Sequence, residues 1–421
     1  MASSFTWLDS SEQDRRRVLE VIDLFSQPGT LDELGIGGIR DALADRLFPG
    51  TSTIQTRAAY FLLVPWLYRD LEARGTTAGE IGEKLRLSEY RLSQALAECE
   101  GAGAGVIGSQ AGRHLKRPAS GVYWGGLGVW GIRRFDGSQA QYHRSVDRLR
   151  SAQQAWRTAR AGSDEAPPAP AWDLHLPDAP AGFPREASFT LRRRDARYLQ
   201  ERIRARAGGS LLGYLIDEGA EAPWVAMPWE HPAVPRLPAR LRALLEHARL
   251  LSEAHHGAAL LYNLMLAEAL AGNGGGDSQA AEWSETYRDR LAEWAAILGE
   301  RMDALRTWDR RGLWEHVESQ NPQVLRAGHR HREFVERWLE CLVSLPHPGA
   351  VVSDSAAREL ICARELEVKR GRARLAHREY LERWGGQSGA NPLDYRWGTA
   401  QTMVSDIVAG LGAGAAGAAA E

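Results

Sequence analysis

Between residues 162 and 185 the chain holds six prolines: Pro167, Pro168, Pro170, Pro177, Pro180 and Pro184. Each removes a backbone donor and fixes φ, so a helix or central strand cannot run through them and an extended connector is the expected form. At 421 residues the chain also exceeds what one hydrophobic core usually supports. The expectation is two domains, 1–161 and 186–409, joined by the linker 162–185 and followed by a low-complexity, disordered tail over 410–421. Trp172 and Leu174 are the linker residues able to pin it onto a neighbouring surface.

Both domains read as mainly α and multi-helical. Apolar residues at helical spacing and flanking breakers predict helices over 12–25, 32–47, the stretch around Ala58–Tyr68, 78–100 and 139–161. In the second half they predict 192–206, 239–270, 280–309, 322–345 and 353–383, with Trp283, Trp294, Trp308, Trp314 and Trp338 packing between helices. Residues 118–135 are the exception. Their density of Gly, Val and aromatic residues predicts a small β-hairpin or irregular loop.

Composition narrows the function classes. The net charge is −2, which fits neither a uniformly basic nucleic-acid coat nor an acidic tail. Cys99, Cys341 and Cys362 form no CxxC pair, as in a reducing, cytoplasmic setting. No secretory leader is legible at the N-terminus, and Ala58–Tyr68, the longest apolar stretch, is too short for a bilayer span, so no membrane is expected.

Charge is unevenly distributed. Residues 106–161 carry ten basic side chains (Arg113, Lys116, Arg117, Arg133, Arg134, Arg144, Arg148, Arg150, Arg157 and Arg160) against Asp136 and Asp147, a local excess of +8. Beside them stand Tyr123, Trp124 and Trp130. Guanidinium groups track phosphates and rings stack on bases, so Arg113, Lys116, Arg117, Tyr123, Trp124, Trp130, Arg133 and Arg134 are the candidate nucleic-acid-binding residues, with DNA or RNA as partner. Thr51, Ser52 and Thr53 ahead of a helix, with Arg57 one turn in, form a candidate anion site. Residues 77–99 have a helix-turn-helix look around Ile81, Leu85, Leu87 and Ser88, but Arg86 stands where the turn glycine is expected and one amphipathic helix explains them with fewer assumptions.

Catalytic patterns are sparse. Arg311/His316, Arg326/His331 and Arg372/His377 have the spacing of helical HEPN-type ribonucleases, at a frequency that chance alone gives. In His329-Arg330-His331-Arg332-Glu333 the two histidines cannot share a helical face. The sequence implies no catalytic residue, no metal site and no cofactor.

Three unusual segments occur in a familiar order: 48–72 (FPGTSTIQTRAAYFLLVPWLYRDLE), 105–134 (GVIGSQAGRHLKRPASGVYWGGLGVWGIRR) and 384–397 (WGGQSGANPLDYRW). They resemble an uncharacterised bacterial family, a domain of unknown function spanning nearly the whole chain. The resemblance implies accessory proteins beside helicase or nuclease genes in mobile or phage-defence clusters, with no catalytic residues to carry over. The expected function is a non-catalytic nucleic-acid-associated or assembly subunit. The alternatives are a HEPN-like ribonuclease and a structural protein–protein interaction module.

Overall fold

The helix-forming runs become fifteen α-helices in the computed structural model, which describes residues 32–101, 103–109, 115–159, 168–219, 222–272, 278–326 and 330–412. In chain order they are α1 Gly37–Leu47, α2 Tyr60–Ala73, α3 Ile81–Glu100, α4 Ala119–Val129, α5 Gln139–Ala159, α6 Arg193–Ala207, α7 Leu211–Glu218 and α8 Ala239–Ala271. There follow α9 Ser278–Arg306, α10 Arg310–Gln320, α11 Pro322–Arg326, α12 Arg330–Ser344, α13 Ser355–Lys369, α14 Arg378–Leu381 and α15 Trp397–Gly412. The helix expected over 12–25 lies outside the described residues. Among the described residues no helix is long and apolar enough to cross a membrane.

Two compact units emerge from the packing, each built from two stretches of chain: 1–43 with 246–393 (unit 1), and 44–245 with 394–421 (unit 2). The described part of the Pro-rich segment, 168–185, belongs to unit 2. There Asp173 donates its N–H to Ile132 O at 2.8 Å and Ala171 O accepts the N–H of Arg134 at 2.8 Å. Trp172 is buried and donates its indole N–H to Glu72 at 2.9 Å, whereas Leu174 is 74% exposed.

Unit 1 is organised on α8. Residues 257–267 of that helix are buried without interruption, so it is enclosed on every face. Two tryptophans dock on it through their N–H groups: Trp294 to Glu253 O at 2.7 Å and Trp338 to Ala254 O at 2.8 Å. Gly257 makes room, since a Cβ there would lie 2.1 Å from the Trp294 ring. A buried charged network closes the same unit. Glu365 accepts from Tyr262 OH at 2.5 Å, Lys369 at 3.0 Å, and the backbone N–H groups of Arg374 and Leu375 at 2.9 Å each. Glu33 pairs with Lys369 and, at 2.8 Å, with Arg374. The helix expected over 353–383 breaks after Lys369, where Arg370 takes a positive φ of 52°.

Unit 2 has an aromatic core around α2. The expected hairpin at 118–135 is instead α4, and the single bridge there joins Arg133 to Trp172. The physical reason is close packing on α2: a Cβ on Gly126 would meet Gly50 O at 2.3 Å and the Phe61 ring at 2.9 Å. Glycine weakens the isolated helix but permits this approach, and tertiary contact outweighs propensity. Of the two readings of 77–99, the single amphipathic helix holds: α3 is continuous, with Arg86 inside it where a helix-turn-helix would need its turn. Gly410–Gly412, expected to open a disordered tail, end α15, where Gly410 packs on Leu191 and Ala196 of unit 2. Residues 413–421 lie outside the described ones.

Candidate nucleic-acid interface

The aromatic residues singled out for base stacking are interior. Tyr123 and Trp130 are 0% exposed and Trp124 8%. The Tyr123 hydroxyl accepts from the N–H of Thr56 at 2.9 Å and of Arg57 at 3.0 Å, and it donates to Arg57 O. Trp130 lies on Phe61 with ring centroids 3.6 Å apart and donates its N–H to Pro49 O. Trp124 donates to Gly137 O at 3.0 Å. The stacking role is corrected accordingly: these ring faces are occupied by the core. The dense Gly and aromatic pattern that suggests a hairpin or irregular loop is what this tightly packed helix requires.

Of the basic candidates, Arg133 is also structural. Its guanidinium lies over the Trp124 ring, 4.7 Å from the centroid, and donates to the carbonyls of Trp124, Phe135 and Gly137. Arg134 and Lys116 are exposed and Arg117 is intermediate. Arg113 lies outside the described residues.

The candidate anion site holds an anion of the protein's own. Arg57 meets the Asp406 carboxylate on α15 at 3.0 Å through Nε and 2.8 Å through Nη2, and Ala58 donates its N–H to the same group at 2.9 Å. This hydrogen bonding pushes Arg57 above its ordinary value against the pull of burial. Thr51, Ser52 and Thr53 stand apart from the arrangement because α2 begins only at Tyr60. Thr51 donates its hydroxyl to Phe48 O, Ser52 donates its N–H to the Gln55 side chain, and Thr53 is exposed.

A basic surface that the sequence reading passed over lies on α6. Residues 192–206 contain seven arginines against Asp195 and Glu201. Packing sorts these arginines. Arg192 pairs with the buried Asp195 at 2.5 Å, Arg202 with Asp173 at 2.9 Å and Arg204 with Asp217 at 2.8 Å. Arg193, Arg194 and Arg197 remain exposed along an open groove of about 590 Å³ shared with His175, Pro177, Tyr198 and Glu201. Arg194 donates to Asp178 O at 2.8 Å. Arg193 and Arg197, on one helical face, have no ion-pair partner among the described residues. Across unit 2 there are 29 Lys and Arg against 24 Asp and Glu, a net +5, which leaves unit 1 at −7. The three consecutive arginines at 192–194 are visible in sequence; that Arg192, Arg202 and Arg204 are neutralised while Arg193 and Arg197 have no ion-pair partner among the described residues is not.

The sequence model of DUF6361, described as a family of unknown function, matches residues 2–411. The chain belongs to this family. No curated protein and no solved structure matches it. In this DUF6361 chain the Arg/His pairs are engaged or dispersed. Arg311 pairs with Glu315 at 2.9 Å, and the His316 ring stands 5.8 Å from that of His247. His331 Nδ1 lies 2.7 Å from Arg364, and His377 is exposed just before α14. The Arg326 side chain and His329 lie outside the described residues. Among the described residues no three His, Cys, Asp or Glu side chains are grouped as metal ligands.

Proposed function

We propose that the chain is a non-catalytic, nucleic-acid-associated subunit that holds a sugar–phosphate backbone along the α6 groove. The observation that carries the reading is the convergence of Arg193, Arg194 and Arg197 on one open groove, two of them without a carboxylate partner, in a unit of net charge +5. Guanidinium groups bind phosphate oxygens without reading sequence, and each phosphate contact releases condensed counterions. Exposed Lys116, Arg134, Arg144 and Arg148 add to the attractive field of the same unit. A helicase or nuclease partner in a mobile or phage-defence cluster, implied by the family resemblance, belongs to the same proposal.

Fluorescence anisotropy with a labelled single-stranded oligonucleotide of mixed sequence, as DNA and as RNA, tests it. Binding is expected at low salt, with little sequence preference. The slope of log affinity against log salt should flatten by about 0.7 per arginine removed in Arg193→Ala, Arg194→Ala and Arg197→Ala. No retention at low salt, or an unchanged slope in the triple variant, overturns the reading.

A further inference from the structure

Away from the groove, unit 2 contains a buried carboxyl with an unused oxygen. Glu89, on the inner face of α3, is 7% exposed and forms part of the wall of a cavity of about 310 Å³. Its Oε1 accepts the N–H of Ser120, in the first turn of α4, at 2.7 Å. Among the described residues, its buried Oε2 has no hydrogen-bond partner and no Arg or Lys forms an ion pair with Glu89. Interiors rarely leave a carboxyl oxygen in that state, because desolvation is then uncompensated.

The rest of the wall indicates what would satisfy it. The Tyr60 and Tyr90 side chains line the cavity together with the aliphatic side chains of Leu92, Ile107 and Leu115. An ammonium group is a donor only, matching an acceptor-only carboxylate, and it is drawn to aromatic faces. The volume is at the small end of the range for ligand pockets. Among the described residues, the exposed charged side chains that line it, Arg86 and Glu83, are of opposite sign and leave the cavity without a net charge of their own apart from Glu89.

We propose that this cavity binds a small apolar amine, its ammonium group donating to Glu89 Oε2 between Tyr60 and Tyr90 and its hydrocarbon part lying against Leu92, Ile107 and Leu115. The site shares no residue with the α6 groove, so either proposal can fail alone.

Calorimetric titration of the full chain with 2-phenylethylamine, 2-phenylethanol and 3-phenylpropionate separates the charge states at nearly constant shape. The amine is expected to bind at least about tenfold more tightly than the alcohol, as a charge-assisted bond in a buried site implies, and the carboxylate not to bind. Glu89→Gln should abolish that preference while the protein melts cooperatively. Leu87→Trp, at an exposed lining position, should weaken the amine about tenfold and serves if the glutamine variant does not fold. Equal or tighter binding of the alcohol, absence of amine binding at millimolar concentration, or an unchanged preference in a folded Glu89→Gln variant overturns the proposal.

Discussion

Asp406 grips Arg57 across 349 positions of sequence, its carboxylate accepting from the guanidinium and from the N–H of Ala58. The pair ties α15 to the entrance of α2, and Asp406 is nearly buried while Arg57 is a quarter exposed. Removing one partner leaves a desolvated charge. Asp406→Asn is therefore expected to lower unit 2 stability by about 3 kcal/mol, read by urea denaturation. Arg57→Ala added to it should contribute little more, since both changes break the same contact. A loss below about 0.5 kcal/mol, the range of ordinary surface changes, would show that the pair holds nothing.

Trp124 and Arg133 discriminate core from contact surface. Trp124→Ala should destabilise the protein by about 3–5 kcal/mol through the cavity it leaves. Arg133→Ala should cost about 1–3 kcal/mol, because the carbonyls of Trp124, Phe135 and Gly137 lose their donor. Oligonucleotide affinity of the folded fraction should stay at the wild-type value in both. Anisotropy titrations below the melting temperature check this, and a selective affinity loss with unchanged stability would return Trp124 to the interface.

Carboxyl groups in the two units respond oppositely to pH. Burial, outweighing the hydrogen bonds from Ser120, pushes Glu89 up to about 7 from an ordinary 4.5. Its native-state contribution is full below 4.5 and is lost as the pH rises through about 7. Burial also raises Glu33 and Glu365, but for Glu33 the charges of Lys369 and Arg374 outweigh it, and for Glu365 the charge of Lys369 and the donors around it do so. Both are held below the ordinary range, so their contribution is present above it and lost as the pH falls through it. Glu89→Gln should flatten the stability profile between about pH 5 and 7.5 and exceed wild type at pH 8 by at most about 3 kcal/mol. The acid-side loss should persist. Parallel wild-type and variant profiles across that window would contradict the assignment.

Two adjacent glycines of α4 should respond with opposite signs. A Cβ at Gly126 would collide with Gly50 O, whereas at Gly125 it meets nothing within 4 Å. Gly126→Ala is expected to destabilise by about 1–3 kcal/mol. Gly125→Ala should stabilise by about 0.5–1 kcal/mol by favouring the helix. Urea melts of the two variants suffice, and an equal effect would mean that α4 does not approach the 48–50 segment.

Most helices were legible because periodicity and breakers act locally: α3, α5, α6, α8 and α9 fall within a few residues of their expected ranges. Helix α4 was not, since glycine density reads as loop until the Phe61 and Gly50 contacts are known. Helix α15 was missed because buried contacts on α6 and α7, rather than caps or charged faces, sustain a run rich in Gly, Ala and Thr. Basic charge was visible, but Arg133 and Arg192 are indistinguishable in sequence from Arg134 and Arg193. Only packing decides which guanidinium faces a ring or carboxylate and which faces water. Glu89 reads as one more acid on an amphipathic helix, and its burial depends on Ser120, 31 positions away.

The contacts that close each unit have a consequence for synthesis. Arg364 donates to Leu34 O across 330 residues, as Asp406 does its work on Arg57 across 349. At translation rates of about 5–20 residues per second, the Leu34 carbonyl waits roughly 15–70 s for its donor to be made. Unit 1 therefore cannot finish folding on the ribosome before Arg364 has emerged, nor unit 2 before Asp406, and nascent chains must keep the α2 apolar surface from aggregating for most of that time. Emergence of α15 from the exit tunnel, more than any early folding event, completes the basic unit.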